Sequence, residues 1–257
     1  MIPYDIVTAW GVSHPWSARE QIEQDLLLSK AICDIYTNEM LSSELVFRGG
    51  TALHMLVLQQ PWRYSEDLDF VRLNTGGIGG IMKELTELGK QSGYLVKTRM
   101  GQFPKVYWHC TAQTGRDIRI KIEINTFERS PALPIAEVKH SIQSAWFSGE
   151  ASVRIFQSEE MAATKIRALY QRSKGRDLFD LWLLVNEVSI DAALTCHAFS
   201  IYRPDGYTAK KAITNLERKL DDQQFLADTY AIASTELFGY QAAEAAKQII
   251  ETFLVKL

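Results

Sequence analysis

Residues 63–70 read RYSEDLDF, two aspartates and a glutamate inside what the neighbouring residues make a strand. Asp and Glu are depleted in strands, so placing Asp67 and Asp69 two apart in an apolar setting costs stability unless something offsets it. Side chains alternate faces along a strand, which points Asp67 and Asp69 one way and Leu68 and Phe70 the other. Two carboxylates that close raise each other's pKa unless a cation stands between them. A hard divalent metal such as Mg²⁺ is the simplest such cation, with water and substrate phosphates as its remaining ligands. Glu66 falls with the core-facing set or in the turn and is left out.

Some fifteen residues upstream stands FRGGTAL. Gly49 and Gly50, between an apolar strand and a helix that Thr51 would cap, let the backbone come close to a ligand, and the N–H groups at a helix start make an anion site. A phosphate cradle and a metal site on adjacent elements are what phosphoryl chemistry needs, with Ser65 as a further phosphate contact. Downstream, DIRIKIEINTF alternates Ile118, Ile120, Ile122 and Ile124 against Arg119, Lys121, Glu123 and Asn125, a period of two with one face in the core. Glu123, on the polar face with Lys121 and Asn125, is the candidate third carboxylate.

The 257 residues, 46 % hydrophobic, are enough to bury a sizeable core in one large domain or two lobes. AREQIEQDLLLSKAICDIYTNEM has helical spacing with Ser17 as N-cap and Glu20 completing a capping box. Strands at YLVKTRM and KVYWHCTA precede the Ile-rich one, and a short strand is read at SVRIF. NTGGIGG is read as a connector, since it does not fit GxGxxG, and IMKELTELGKQSG as a helix stopped by Gly93. From about residue 157 the pattern is helical: SEEMAATKIRALYQRS, GRDLFDLWLLVNE, DAALTCHAFS, YTAKKAITNLERKL and YQAAEAAKQIIETFLVKL. Helix-strand alternation followed by a run of helices predicts an α/β lobe over 1–156 and an α-helical lobe over 157–257.

No apolar run approaches the roughly 20 residues that cross a bilayer, and MIPYDIVTAWGV lacks the basic and apolar regions of a signal peptide, so a cytoplasmic location without membrane contact is expected. Cys33, Cys110 and Cys196 are odd in number and widely spaced, which points to reduced, buried thiols, and the five histidines show no ligand spacing for zinc. With 28 basic and 31 acidic residues the chain has no wholesale electrostatic grip on nucleic acid, so any such site must be a local cluster. One exists: Lys165, Arg167, Arg172, Lys174 and Arg176 lie within twelve residues. Lys165 and Arg172 share a helix face. In GRDLFDLW, Asp177 sits at a helix start, where a capping role is the plain alternative, and Asp180 is placed to pair with Arg176 or Lys174.

FRGGTAL, RYSEDLDF, TKIRALYQR and KGRDLFDLW, in that order over about residues 46–182, resemble the nucleotidyltransferase superfamily, and specifically the AbiEii/AbiGii-type toxins that include the mycobacterial MenT group. The resemblance implies a polymerase-β-like nucleotidyltransferase core with a mixed sheet and a helical C-terminal lobe. It implies Mg²⁺ (Mn²⁺ as a substitute), an NTP as substrate, a cognate antitoxin and, from several relatives, a tRNA 3′ end as acceptor. It assigns Lys165 to nucleotide phosphates and Asp177 to the last motif's acidic residue. Asp67 and Asp69 then act with Lys165 and Asp177 in catalysis, and Asp67, Asp69 and Glu123 hold metal. Gly49, Gly50, Thr51, Ser65 and Lys165 bind the nucleotide, and Arg167, Arg172, Lys174 and Arg176 meet RNA. Two other readings stand beside it: transfer to a protein or small molecule, and a non-catalytic nucleotide-binding module.

Overall fold

The computed structural model describes residues 2–234 and 239–257. Two units emerge: residues 1–130 with 135–156, and residues 131–134 with 157–257.

In the first unit the elements run α1 (Tyr4–Ser13), α2 (Arg19–Thr37), α3 (Glu39–Glu44), β1 (Leu45–Arg48), α4 (Gly49–Ala52, continued by a π-helical turn Leu53–Val57), β2 (Asp67–Arg72), α5 (Gly79–Gln91), β3 (Leu95–Arg99), β4 (Lys105–Thr111), β5 (Asp117–Asn125), β6 (Ala136–Gln143) and β7 (Ser148–Ile155). The strands form one mixed sheet in the order β3-β4-β5-β2-β1-β7-β6. β2 pairs antiparallel with β1 and parallel with β5. This is the α/β lobe with a mixed sheet that the sequence predicts.

The alternation in β5 decides which face is covered. Ile118, Ile120, Ile122 and Ile124 are buried, whereas Arg119 is exposed and Lys121 and Glu123 half-buried. A sheet with one packed and one solvated face reads in this way. Helices α2 and α5 touch each other and lie on the sheet, α2 against β5, β6 and β7, and α5 against β3 and β4. Trp108 of β4, fully buried, donates its indole N–H to Leu85 of α5.

Several local expectations change. The capping box read at Ser17 does not form: the N-cap is Ala18, whose side chain has no acceptor, and only the reverse bond is made, from the Ala18 N–H to Gln21 Oε1 three residues on. The glycine helix begins at Gly49, so Thr51 lies inside it and does not cap it. SVRIF is the end of an eight-residue strand, β7, hairpinned to β6, which carried no apolar run to announce it. α1 was also unread. The NTGGIGG connector is not loose, since the Arg72 guanidinium donates to the Gly76 and Gly77 carbonyls. Cys33 is buried, but Cys110 and Cys196 are half-buried; all three are free thiols.

The second unit holds α6 (Ser158–Gln171), α7 (Gly175–Leu183, continued by a π-helical turn Leu184–Val188), α8 (Ala192–Tyr202), α9 (Ala209–Leu220), α10 (Gln223–Tyr230) and α11 (Ala242–Thr252), with a closing 3₁₀ turn at Leu254–Lys256. α10, only eight residues long and opening on Asp222 as N-cap, escaped the sequence reading. Glu160 of α6, buried, accepts the backbone N–H groups of Ala132 and Leu133 and the Tyr202 hydroxyl, which fixes the 131–134 segment to this unit.

Candidate active site

The strand–glycine–strand junction is built around close approaches. Gly49 takes a φ of 84°, a left-handed conformation that glycine adopts without strain, and a Cβ there would stand 2.8 Å from Asp69 Oδ2. A Cβ on Gly50 would stand 2.6 Å from an Arg63 guanidinium nitrogen and 2.9 Å from Ser65 Oγ. The double glycine therefore admits side chains of the RYSEDLDF stretch against the start of the helix. Thr51, 1 % exposed, donates its hydroxyl to the Asp67 carbonyl at 2.5 Å and lies 2.9 Å from Ser65 Oγ, which ties α4 to the head of β2. Arg63 and Ser65 also border a cavity of about 310 Å³ whose lining includes Asp25, His54 and His140, a volume at the low end of ligand pockets.

Asp67 and Asp69 are half-buried on one face of β2, and Leu68 and Phe70 are buried on the other, as alternation requires. The parallel register sets Asp67 opposite Lys121 and Asp69 opposite Glu123. Lys121 Nζ is 2.7 Å from Asp67 and 3.4 Å from Glu123, and Lys105 Nζ is 2.8 Å from Glu123. Arg48 pairs with Glu128 at 2.6 Å.

These neighbours split the carboxylates into two kinds. Burial first, and Asp67 next, push the Asp69 carboxyl above its ordinary range, with Lys121 and Arg48 opposing. Burial also acts to raise Glu123, but Lys105 and Lys121 outweigh it and hold that carboxyl below its usual range. Burial works to lower Lys121, yet Asp67, Asp69 and Glu123 together raise it. Asp69 is thus poorly compensated, while Glu123 is satisfied by two ammonium groups.

The donor chemistry suits a hard divalent cation at Asp67 and Asp69, two carboxylates that share a face and repel one another. Mg²⁺ commonly takes one or two carboxylates and completes its shell with water and phosphate. Among the described residues no group of three His, Cys, Asp or Glu side chains is gathered to hold a metal. Glu123 reaches a metal only by exchanging its lysines for it.

In the second unit, the expected residues converge on a buried ion cage. Asp177 and Asp180, one turn apart on α7, have fully buried side chains. Lys165 Nζ is 2.5 Å from Asp180 and 3.4 Å from Asp177. Arg172, extended at the end of α6, grips Asp177 with Nε at 2.7 Å and a second nitrogen at 2.8 Å, a fork geometry carboxylates bind tightly. Burial alone would raise Asp177; Lys165 and Arg172 reverse it and hold the carboxyl below its ordinary range. Asp177 is not the N-cap of α7, a position Lys174 occupies, and Asp180 pairs with Lys165 and not with the cations the spacing suggested.

The rest of the basic cluster is also answered. Lys174 and Arg176 both face Asp228, at 3.6 and 3.9 Å, and the Arg167 guanidinium lies 5.2 Å from the Tyr202 ring. Five positive charges in the sequence are therefore far fewer free ones in the fold. The structure thus brings Gly49, Gly50, Thr51, Ser65, Asp67, Asp69 and Glu123 together in one unit, and Lys165, Arg172, Asp177 and Asp180 in the other. Sequence reasoning missed Lys105 and Arg48. Their only signal is strand register, which periodicity does not give.

The family described as "Nucleotidyl transferase AbiEii toxin, Type IV TA system" matches residues 33–252. Among solved structures, MenT4, a nucleotidyltransferase toxin of Mycobacterium tuberculosis H37Rv, superposes with a TM-score of 0.69 at 18 % identity, covering 100 % of this chain and 91 % of its own. An antigenic nucleotidyltransferase-like protein of Paracoccidioides brasiliensis matches at a TM-score of 0.46 and 16 % identity over 80 % of this chain and 91 % of its own, too slight a likeness to carry an argument. A search of curated proteins gave no match. The structural likeness speaks to the fold; the sequence match, from Cys33 to Thr252 and across all four motifs, settles kinship, and the chain belongs to the AbiEii family of nucleotidyltransferase toxins of type IV toxin–antitoxin systems.

Proposed function

We propose that this chain transfers a nucleoside monophosphate from an NTP to the 3′ hydroxyl of an RNA, the acceptor end of tRNA, with release of pyrophosphate. The observation that carries it is the juxtaposition of Asp67 and Asp69 with the glycine turn at the head of α4, where Asp69 Oδ2 stands only 2.8 Å from the point a Cβ on Gly49 would take. The N–H groups at Gly49, Gly50 and Thr51, with the Ser65 hydroxyl, offer donors to the triphosphate. Asp67 and Asp69 would hold Mg²⁺, or Mn²⁺, which when bound lowers the pKa of the attacking hydroxyl and neutralises the departing pyrophosphate. Lys121, now on Asp67, yields that carboxylate and keeps its positive charge beside the site. From the family's motifs, Lys165 is assigned to the phosphates and Asp177 to catalysis as the last motif's acidic residue; Asp177 also lies 3.4 Å from Lys165 Nζ. Transfer of this kind rests on positioning and electrostatics, with little covalent work for side chains.

A toxin family implies a cognate antitoxin, and among the described residues no helix is long and apolar enough to cross a membrane. Action in the cytoplasm, where tRNA and NTPs are present, fits both. The test is to incubate the protein with labelled NTPs, Mg²⁺ and total tRNA and to sequence RNA 3′ ends, which reads acceptor, base and count together. Labelled tRNA is expected, and Asp69→Ala should reduce labelling by more than about 10³-fold with the fold retained. Undiminished labelling by Asp69→Ala would remove the carboxylate pair from the mechanism. Labelling of protein in place of RNA would move the acceptor.

A further inference from the structure

In the Lys165–Arg176 segment Lys174 and Arg176 share one acid and Arg167 faces a ring, so an RNA acceptor would gain from positive charge elsewhere. Helix α9 supplies it. Its buried residues Ala212, Leu216 and Lys219 lie on one side, and helical spacing puts Lys210, Lys211, Thr214, Asn215 and Arg218 on the opposite side, within one continuous stripe. Lys210, Lys211 and Arg218 are exposed. No acid pairs with any of them among the described residues, although Glu217 stands on the flank and Asp205 precedes the helix. Among the described residues the one hydrogen bond of these three charged groups runs from Lys211 Nζ to the Gly206 carbonyl, at 2.9 Å.

What turns the stripe into a site is its neighbour. Lys219, on the buried side, donates to the carbonyls of Leu169 and, at 2.8 Å, Arg172, so it caps the end of α6 and fastens α9 alongside it. This brings Tyr170, braced edge-on by Tyr207 at 5.0 Å, to the groove. Tyr170, Lys210, Lys211, Thr214, Asn215 and Arg218 line a cavity of about 350 Å³. Asn215 Oδ1 is enclosed there without a hydrogen-bond partner. A buried amide oxygen left unpaired by the protein can accept from water or from a bound ligand.

We propose that this groove is a binding site for the sugar-phosphate backbone of an RNA strand, the acceptor of the transfer reaction. Three cations without acidic partners suit successive phosphates, an aromatic ring suits an unstacked base, and an unpaired amide acceptor in the groove wall suits a ribose 2′ hydroxyl, the group that marks RNA. The net charge of −3 makes the local excess more telling, since it is not part of a general basic character. The inference deepens the RNA-acceptor reading above and rests on it.

The test is tRNA affinity, by fluorescence anisotropy over a range of salt, for the full chain and for the triple variant Lys210→Gln/Lys211→Gln/Arg218→Gln. All three side chains point to solvent, so the melting temperature and the thermal shift produced by NTP should be unchanged. Affinity should fall by about tenfold or more at 0.1 M salt, and the slope of log K against log salt should flatten by about two to three, one contact per lost cation. Unchanged affinity and slope in the variant, with the unaltered protein binding tRNA, would sink the α9 site and leave the RNA-acceptor reading standing. Absence of tRNA binding by the unaltered protein would sink both.

Discussion

Asp67 and Asp69 on β2, and Asp177 and Asp180 on α7, are two pairs of aspartates built from nearly the same chemistry and left in opposite electrostatic states. The α7 pair is wholly buried and wholly answered, with Lys165 between the two carboxylates and the Arg172 fork on one of them. The β2 pair is half-buried, and among the described residues its one direct ion pair is from Lys121 to Asp67. Burial dominates at both Asp69 and Asp177, yet the net outcomes differ in sign, raised for Asp69 and lowered for Asp177. A caged pair contributes to the fold and costs heavily if broken. An open pair is a standing cost to the fold that a bound cation would relieve, as expected of groups kept for chemistry.

The caged pair gives the largest expected effect. Lys165→Ala removes the ammonium shared by the two buried carboxylates Asp177 and Asp180, and should cost about 3–5 kcal/mol in urea unfolding. Because that loss is structural, Lys165→Met combined with Asp180→Leu should recover most of it, since replacing a buried pair by apolar groups is often neutral. A Lys165→Ala protein as stable as the original would erase the contrast between the two sites.

Asp69→Asn should do the reverse, stabilising the metal-free protein by about 0.5–2 kcal/mol while transfer is lost. Its pH dependence carries the sign. A raised folded-state pKa means Asp69 contributes its stability fully below the unfolded pKa and loses it as pH rises through the folded value, so the ionised form is the costly one at neutral pH. The advantage of Asn should therefore be present at pH 7 and vanish as the pH falls through Asp69's raised pKa toward the ordinary aspartate range. Asp177 runs the other way, its contribution being present above the unfolded pKa and lost as pH falls through its lowered folded value. Urea midpoints for both proteins between pH 7 and pH 4 give the comparison. A variant that is less stable at pH 7 would show Asp69 to be compensated.

Much of this contrast was legible before the fold was known, and the rest was not for definite reasons. The period of two in RYSEDLDF and DIRIKIEIN placed Asp67, Asp69 and Glu123 on polar faces because alternation is a property of the backbone itself. The glycine turn was legible as a close approach, but not that the approaching groups were Asp69, Arg63 and Ser65. Counting charges in 165–176 failed as a guide to free charge, because Asp180 and Asp228 come within reach only through helix packing. The α9 stripe was visible as helical spacing in YTAKKAITNLERKL, yet it carried no motif, and what distinguishes it is the lack of acidic partners among the described residues.

The finest probe of the open pair is Lys121, which stands where a metal's charge would act. Its Nζ answers Asp67 at 2.7 Å, and both side chains are partly exposed, at 21 % and 35 %, so the pair itself is worth no more than about 1 kcal/mol. Lys121→Gln should therefore lower metal-free stability by that small amount, since Asp67 then faces Asp69 without relief. The same change removes a competitor for Asp67, and a ligand that binds only the folded state stabilises it in proportion to the logarithm of its occupancy. The rise in melting temperature on adding Mg²⁺ should accordingly be larger for Lys121→Gln than for the unaltered protein, and absent from Asp67→Asn/Asp69→Asn. Equal Mg²⁺ shifts with and without Lys121 would mean that lysine and metal do not compete for Asp67, and that the β2 pair is compensated in a way its ion pairs do not reveal.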